Sequence, residues 1–196
     1  MLRDEDFPAY GTLLRERIFD EGEADYVFPW YDRDPDERVR GALQFQWHMR
    51  SALKPEQWHL PFGVWVDDEL VGSQEVNAND FARRRVIGSG SWLTQRVHGR
   101  GFGSLMRRAM LVLAFDHFGA RRAESAAVLG NTRSFHVSRA CGYVENGTQV
   151  IVEGERVLTH QGFVLTPEDF VRPEVEVSVE GLTPTLREML GAPRAV

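Results

Sequence analysis

The sequence predicts one mixed α/β domain. Segments with strand-like and helix-like apolar spacing alternate through the middle of the chain, which ends in a hairpin pattern and a short tail. The 196 residues, of which 42% are hydrophobic, suffice for one full core and a small extension. We therefore expect one domain over residues 1–170 and a C-terminal extension over 171–196.

Composition narrows the classes of function. The net charge is −6, whereas a nucleic-acid binder needs a basic face, so we expect no nucleic-acid partner. The single cysteine, Cys141, leaves no disulfide within the chain and fits a reducing cytoplasm, where we expect the protein. No apolar run approaches the roughly 18 residues that cross a bilayer, and the histidines lack a metal-binding spacing. We therefore expect neither membrane contact nor bound metal.

Two helices are predicted before the first strand. Residues 7–20 carry apolar side chains at helical spacing, and a loop that contains Pro29 and Pro35 follows them. The second helix is predicted over about 36–53, with Asp36 as its N-cap.

Three strands and a long helix come next. In "PFGVWVDDELVGSQEVN" the apolar residues alternate on both sides of "DDE", which predicts a hairpin. The segment "RRRVIGSGSWLTQ" predicts a further strand that contains Gly88 and Gly90. The helix that follows is expected to begin near Ser104 and to stop at Gly119.

The remaining elements complete the alternation. "RRAESAAV" predicts a strand, and "NTRSFHVSRACG" predicts a helix that ends at Gly142. A strand pair that turns near Gly154 follows. In the tail, "VEVSVEG" predicts an edge strand and "TPTLREMLG" a short helix that begins near Pro184.

Three glycines, Gly99, Gly101 and Gly103, alternate between a predicted strand and a predicted helix. Glycines at such a turn let backbone N–H groups point into one concavity, where the helix dipole favours an anion. A plain tight turn needs one glycine, so three favour a phosphate site. The segment lacks the lysine of a P-loop and the third glycine of a dinucleotide fingerprint, although another nucleotide-binding module stays open.

The segment "HGRGFG" (98–103) resembles the coenzyme-binding signature of the GNAT family of N-acetyltransferases, [Q/R]xxGx[G/A]. Here His98 replaces glutamine or arginine. About 30 residues later, "NTRSFHVSRACGYVENG" is similar to the family's N-x-x-S…G-[F/Y]-x-x-x-G pattern. The resemblance covers roughly residues 58–181. It is strongest to the branch with the RimJ and RimL ribosomal-protein acetyltransferases, and within it to an actinobacterial subgroup associated with succinyl transfer.

This resemblance implies a GNAT fold: a mixed, mostly antiparallel twisted sheet flanked by helices, with a bulged central strand before the glycine turn. The family's first strand is missing or very short here, because the chain begins at "MLRDEDF". Family habit and the tail's predicted edge strand together suggest a homodimer.

The resemblance also implies the reaction. An acetyl group would pass from acetyl-CoA to a primary amine by direct attack in a ternary complex. The acceptor would be a protein N-terminus, a lysine or a small-molecule amine. Two alternatives stay open: succinyl-CoA as donor, and a non-catalytic acyl-CoA sensor. The residues expected at the coenzyme are Trp92, Leu93, Thr94, His98, Gly99, Arg100, Gly101, Phe102, Gly103, Ser104, Asn131 and Ser134.

Catalytic residues are carried over from relatives by position. Glu153 is the first candidate base, unless it is merely an exposed turn residue, and Glu75 is the second. Ser134 is the candidate acid, unless it only caps its helix, and Ser138 stands where many relatives have a tyrosine. Trp30 and Tyr31 fall where relatives build the acceptor pocket. Arg100, Arg107 and Arg108 are expected either to meet the phosphates or to lie on the solvent face of their helix.

Overall fold

A computed structural model describes residues 1–19, 30, 31, 33–153 and 155–193. Its centre is a six-stranded sheet in the order β1-β2-β3-β4-β6-β5. The strands are β1 Gln57–Val66, β2 Glu69–Asn79, β3 Val86–Leu93, β4 Arg122–Val128, β5 Val144–Glu153 and β6 Arg156–Leu165. The helices are α1 Phe7–Leu13, α2 Pro35–Ser51, α3 Phe81–Arg84, α4 Phe102–Val112, α5 Thr132–Ala140 and α6 Pro184–Met189. The mixed α/β fold class is confirmed.

The sheet is mostly antiparallel. Only the β3–β4 pair is parallel among the neighbouring pairs of described strands. The chain enters the sheet at β1, which forms one edge, so the family's first strand is absent from the described residues. The β1–β2 hairpin is confirmed, and it turns at Asp67 and Asp68, both with positive φ, as a tight two-residue hairpin turn requires.

The expected bulge in the central strand is not present. The register of β3 against β2 runs without a shift from Asn77↔Gly88 to Gly72↔Leu93. The irregularity lies on the other side of β3, which pairs with β4 only from Val86 to Gly88. Beyond Gly88 the two parallel strands separate.

The two N-terminal helices differ from their predicted bounds. The helix α1 ends at Leu13 rather than near residue 20. The helix α2 begins at Pro35, and its N-cap is Asp34 rather than Asp36, because the Asp34 carboxylate accepts the backbone N–H of Asp36 at 2.9 Å. A proline at the first helical position lacks the N–H that would otherwise need an acceptor.

Each face of the sheet is covered. On one face, α4 packs over a core that contains Trp58, Phe81 and Phe118, whose rings meet edge to face. On the other face, α1 contributes to a second cluster that Leu70 joins from β2, with Trp92 of β3 packed against it. The sheet is thus buried on both sides, and the gap between β3 and β4 lies between the two layers.

The long helix α4 begins at Phe102 with Gly101 as its N-cap. Ser104 is therefore its third residue rather than its first. The helix continues as a π-helical turn over Leu113–His117, and Gly119 follows with φ +71°. The predicted stop at Gly119 is confirmed.

The tail is held by side chains rather than by strand pairing. The segment 175–181 forms no strand, so the predicted edge strand is wrong, because no described strand lies beside its valines to pair with them. The short helix is confirmed, with Thr183 as its N-cap. After it, Leu190 is fully buried and its carbonyl accepts the Trp58 indole N–H at 3.0 Å. The homodimer stays a prediction, without the support of that strand.

None of the described helices has the length and apolar character needed to cross a bilayer.

Candidate active site

The separation of β3 and β4 opens a cleft of about 1450 Å³. One wall is formed by β3 residues 89–93 and the other by β4 residues 125–128. The glycine turn and the N-termini of α4 and α5 line the mouth of this cleft. An elongated ligand with an anionic head group could lie between the two strands.

The three glycines of the turn have two different roles. Gly99 and Gly101 have φ values of +73° and +82°, which L side chains rarely adopt. A Cβ built on either residue meets no atom within 4 Å, so both face open space. Gly103 has no such φ, but its Cβ would lie 3.3 Å from Val137 Cγ2 on α5. Gly99 and Gly101 shape the turn, and Gly103 lets two helices approach.

His98 fastens the turn to the end of β3. Its Nε2 lies 3.0 Å from the Leu93 carbonyl oxygen, so the tautomer protonated at Nε2 donates a hydrogen bond there. The residue that departs from the family signature therefore has a positional role. The turn presents the first backbone N–H groups of α4 to the cleft, and these have no acceptor within the helix.

The helix α5 begins with a side-chain cap. Asn131 Oδ1 accepts the Ser134 backbone N–H at 3.1 Å, so Asn131 is the N-cap and Ser134 is not. The Asn131 carbonyl oxygen is thereby occupied within the protein. The Ser134 side chain lines the cleft, and its hydroxyl makes no hydrogen bond within the described part of the chain.

Most residues predicted at the coenzyme do line the cleft. These are Trp92, Leu93, His98, Gly99, Gly101, Phe102, Gly103, Ser104, Asn131 and Ser134. Thr94 does not, because its side chain is buried and its hydroxyl donates to Glu16 at 2.6 Å. Arg100 does not line the cleft either; it is exposed, and its guanidinium lies 4.9 Å from the Phe102 ring centre.

Two further predictions are corrected by burial. Ser138 is fully buried at 0% exposure and lines neither cavity, so the prediction of a catalytic role for it is wrong. Arg108 donates to the Ala140 carbonyl at 2.7 Å and so caps the end of α5, away from any phosphate role.

The candidate bases lie on separate strands. The Glu75 carboxylate accepts a hydrogen bond from Asn77 at 2.9 Å and lies 3.5 Å from His59 Nδ1, and Glu75 lines neither cavity. Glu153 is the last residue of β5 and pairs with Arg156 across the hairpin. Its side chain is outside the described part of the structure.

The two predicted acceptor-pocket residues separate. Trp30 lines the cleft, and its ring centre lies 5.8 Å from that of Trp92. Tyr31 does not line the cleft. Its hydroxyl accepts the Ile18 backbone N–H at 3.3 Å, and the Arg38 guanidinium lies 4.0 Å from its ring centre, so Tyr31 anchors the loop.

A second cavity of about 600 Å³ adjoins the cleft. It is lined by polar side chains that include Asn77, Glu124 and Thr148, and it shares with the cleft the residues Ser89, Ser125, Ala126 and His160. His160 therefore lies where the two cavities meet. Its Nε2 is buried and has no hydrogen-bond partner among the described residues. The sequence reasoning treated histidines only as metal ligands and missed it.

Arg107 is the second residue that the sequence reasoning missed in this role. It was expected at phosphates or on a solvent face, but it is only 4% exposed and lines the cleft. Its two terminal nitrogens donate to Ser125 Oγ and Ser91 Oγ, each at 3.2 Å. A positive charge is thus held between the two separated strands.

Neighbouring ionisable groups are perturbed mainly by burial. Burial raises the pKa of Tyr143, and the nearby Arg107 guanidinium opposes that rise. Burial also raises the pKa of the Cys141 thiol, which makes it a poor nucleophile at neutral pH. Within the described ranges no group of three or more metal-ligating side chains comes together.

Comparison with known proteins agrees with this geometry. Residues 1–144 match the family model described as an acetyltransferase (GNAT) domain. RimJ of Mycobacterium smegmatis, in complex with CoA-disulfide, superposes with a TM-score of 0.72 at 21% identity, over 87% of this chain and 82% of that chain.

Two other acetyltransferases share the fold. RimL, the ribosomal L7/L12 alpha-N-protein acetyltransferase in complex with coenzyme A, has a TM-score of 0.68 at 14% identity, over 84% of this chain and 90% of that chain. The spermidine N-acetyltransferase SpeG of Vibrio cholerae has 0.60 at 16%, over 84% and 92%. The family match spans well over half of the sequence. The chain therefore belongs to the GNAT acetyltransferase family, and by that membership it is an N-acetyltransferase.

Proposed function

We propose that this protein transfers an acyl group from an acyl-CoA to a primary amine while both substrates are bound. The observation that carries the proposal is the glycine turn, whose open side faces a cleft between two separated parallel strands. Backbone N–H groups at a helix N-terminus suit a pyrophosphate, and the cleft suits an extended arm.

The coenzyme is proposed to lie with its pyrophosphate at the turn and its pantetheine arm between β3 and β4. Each charge-assisted bond to a phosphate oxygen contributes roughly 1.5–3 kcal/mol, so a few N–H groups suffice without a lysine. Arg100 is exposed beside the turn and free to approach a phosphate from solvent. Thr94 is excluded from this set by its bond to Glu16.

The reaction needs an unprotonated amine and a polarised thioester. A backbone N–H on β3, for which we propose Leu93, would polarise the thioester carbonyl. A lysine-like amine costs about 4–5 kcal/mol to deprotonate at pH 7, whereas a protein α-amine costs about 1–1.5 kcal/mol. A base therefore matters more for a lysine-like acceptor. RimL is named for α-amines of a protein and SpeG for spermidine; for this chain the acceptor class is open to either.

Three residues are proposed for proton removal. Glu153 is favoured by its position in the second motif, and Glu75 is the weaker choice because it lines neither cavity. His160 is favoured by the structure, since its buried Nε2 lies where the cleft meets the second cavity. His160→Gln is expected to lower kcat/KM more for a lysine-like acceptor than for an α-amine acceptor. An equal effect on both would remove it as the base.

Ser134 is proposed as the proton donor to the leaving thiolate. Its hydroxyl lines the cleft, whereas its backbone N–H is already bonded to Asn131. Because Asn131 supplies the cap, the Ser134 hydroxyl is free for this role. A serine hydroxyl is a weak acid, so a water between it and the sulfur would relay the proton.

The proposal is tested by following free thiol release from acetyl-CoA and succinyl-CoA with a panel of amines: a peptide α-amine, a lysine peptide and spermidine. Steady turnover with at least one amine supports the proposal. Coenzyme binding without turnover on any amine would favour the acyl-CoA sensor instead. If no coenzyme A species binds, the turn is structural or serves another anion, and the proposal fails.

A further inference from the structure

Arg107 has an unusual environment for an arginine. It extends from the second turn of α4 into the core side of the sheet, and only 4% of its surface is exposed. Burial of a charge is costly unless the charge is paired. No carboxylate of the described residues lies within 4 Å of its guanidinium.

The partners that Arg107 does have are neutral. Its hydrogen bonds go to the hydroxyls of Ser91 and Ser125, and its Nε is buried without an acceptor. The hydroxyls of Ser89 and Tyr143 are also buried and unpartnered within the described chain. Tyr143 lies close enough for the Arg107 charge to act on its pKa. The group therefore has several free donors and no anion.

The position of this group relative to the cleft is specific. Gly88 is the last residue of β3 that pairs with β4, opposite Glu124, so Ser91 and Ser125 lie just beyond the point where the strands separate. Arg107 lies about 7.5 Å along the axis of α4 from Phe102, at a rise of 1.5 Å per residue. The glycine turn is at the mouth of the cleft, and Arg107 is at its closed end.

This placement matches the two ends of the donor, and the argument here rests on the proposed function. If the pyrophosphate lies at the turn and the arm runs between the strands, the acyl group reaches the closed end. An acetyl group offers nothing that a buried guanidinium needs. An acyl group that ends in a carboxylate offers two acceptor oxygens and the missing negative charge.

We propose that Arg107, held by Ser91 and Ser125, binds a terminal carboxylate on the donor's acyl group, so that a dicarboxylic monothioester such as succinyl-CoA is preferred over acetyl-CoA. In the reaction, the amine nitrogen forms a bond to the thioester carbon and loses one proton. The C–S bond breaks, and the sulfur leaves with its electron pair and takes up a proton as free coenzyme A. The carboxylate is unchanged and appears in the product as the end of an N-acyl amide.

The experiment compares kcat/KM for succinyl-CoA and acetyl-CoA, with a fixed amine, in the unmodified protein, Arg107→Gln and Arg108→Gln. Arg108 is the matched control, because it is the next residue on the same helix and is bonded to the Ala140 carbonyl. The unmodified protein is expected to prefer succinyl-CoA at least tenfold. Arg107→Gln is expected to lower the succinyl/acetyl ratio by about 10- to 100-fold, the range of a charge-assisted pair. Arg108→Gln should keep the ratio.

Several outcomes would overturn the proposal. One is an unmodified protein that prefers acetyl-CoA. Another is an Arg107→Gln variant that loses activity equally with both donors, which would place Arg107 at the shared thioester or thiolate. If Arg107→Gln does not fold, the milder Ser125→Ala decides, since loss of one supporting hydroxyl should lower the same ratio. A protein that binds neither donor would instead refute the proposed function itself.

Discussion

The two sides of the central cleft are assembled in different ways. The donor side, which consists of β3, the glycine turn, β4 and the starts of α4 and α5, comes from one continuous stretch of chain, residues 86–142. The acceptor side combines Trp30, the second cavity and the β5–β6 hairpin, which are far apart in sequence. The donor side is thus fixed largely by local geometry, and the acceptor side by the tertiary fold.

This difference explains which part of a site a sequence motif can encode. A turn that needs positive φ at Gly99 and Gly101, followed by a helix N-terminus, leaves a short pattern in the sequence. A pocket that is closed by a loop, a strand and a hairpin leaves none, because its residues need no fixed spacing. Variants can test each side separately.

The largest effect is expected from Gly101→Leu on the donor side, with Gly181→Leu as the matched control. Both glycines have positive φ, +82° and +75°, and a Cβ on either meets no atom within 4 Å. A left-handed conformation costs an L residue about 1–2 kcal/mol, so both variants should lose similar free energy of unfolding in chemical denaturation. Only Gly101→Leu places a side chain at the coenzyme turn. Its acyl-CoA affinity should fall about 100-fold, or ~2.7 kcal/mol, measured by calorimetry.

Equal acyl-CoA affinities in the two glycine variants would contradict the assignment of the turn as the pyrophosphate site.

The next effect is expected from Ser134→Ala, compared with Ser138→Ala. Both serines lie on α5, but Ser134 lines the cleft and Ser138 is fully buried outside it. Loss of a proton donor typically lowers kcat by about 100-fold, and the donor KM should change little. Steady-state kinetics of Ser138→Ala should match the unmodified protein. A normal kcat in Ser134→Ala would show that another group or water protonates the thiolate.

A smaller effect separates the two helix caps, Asn131 and Asp34. Each accepts a backbone N–H of its helix, so alanine at either should cost about 1 kcal/mol in free energy of unfolding. Because α5 begins at the cleft and α2 does not, only Asn131→Ala should also weaken acyl-CoA binding, by a few-fold. If both variants bind the donor alike, the start of α5 does not contribute to the site.

The smallest effect concerns the tail. Two hydrogen bonds from Arg172, at 2.7 and 2.9 Å, lower the pKa of Asp116. A lowered carboxyl pKa contributes stability that is present above the unfolded value of about 3.9 and is lost as the pH falls through the folded value. Asp116→Asn should therefore be slightly less stable than the unmodified protein at pH 7, and the gap should close below about pH 4. Thermal melting at several pH values measures it, and a gap that persists at low pH would point to packing instead.

The sequence predicted the donor side more completely than the acceptor side. Alternating apolar residues and turn glycines located every strand of the sheet, and the motif residues at the turn do line the cleft. The edge strand of the tail was wrong because alternation alone does not supply a neighbouring strand. Thr94 and Ser138 were placed by family position, but tertiary packing buries both. Arg107 and His160 could not be assigned, because nothing in the local pattern shows that an arginine or a histidine will face a gap between strands.

The account depends most directly on the cleft between β3 and β4 being the acyl-CoA site. The measurement that tests it is calorimetric titration of the unmodified protein with acetyl-CoA, succinyl-CoA, free coenzyme A and ATP. We expect one acyl-CoA to bind per chain, more tightly than the free coenzyme, and no binding of ATP. Absence of binding by every coenzyme A species, or equal binding of ATP, would contradict the account.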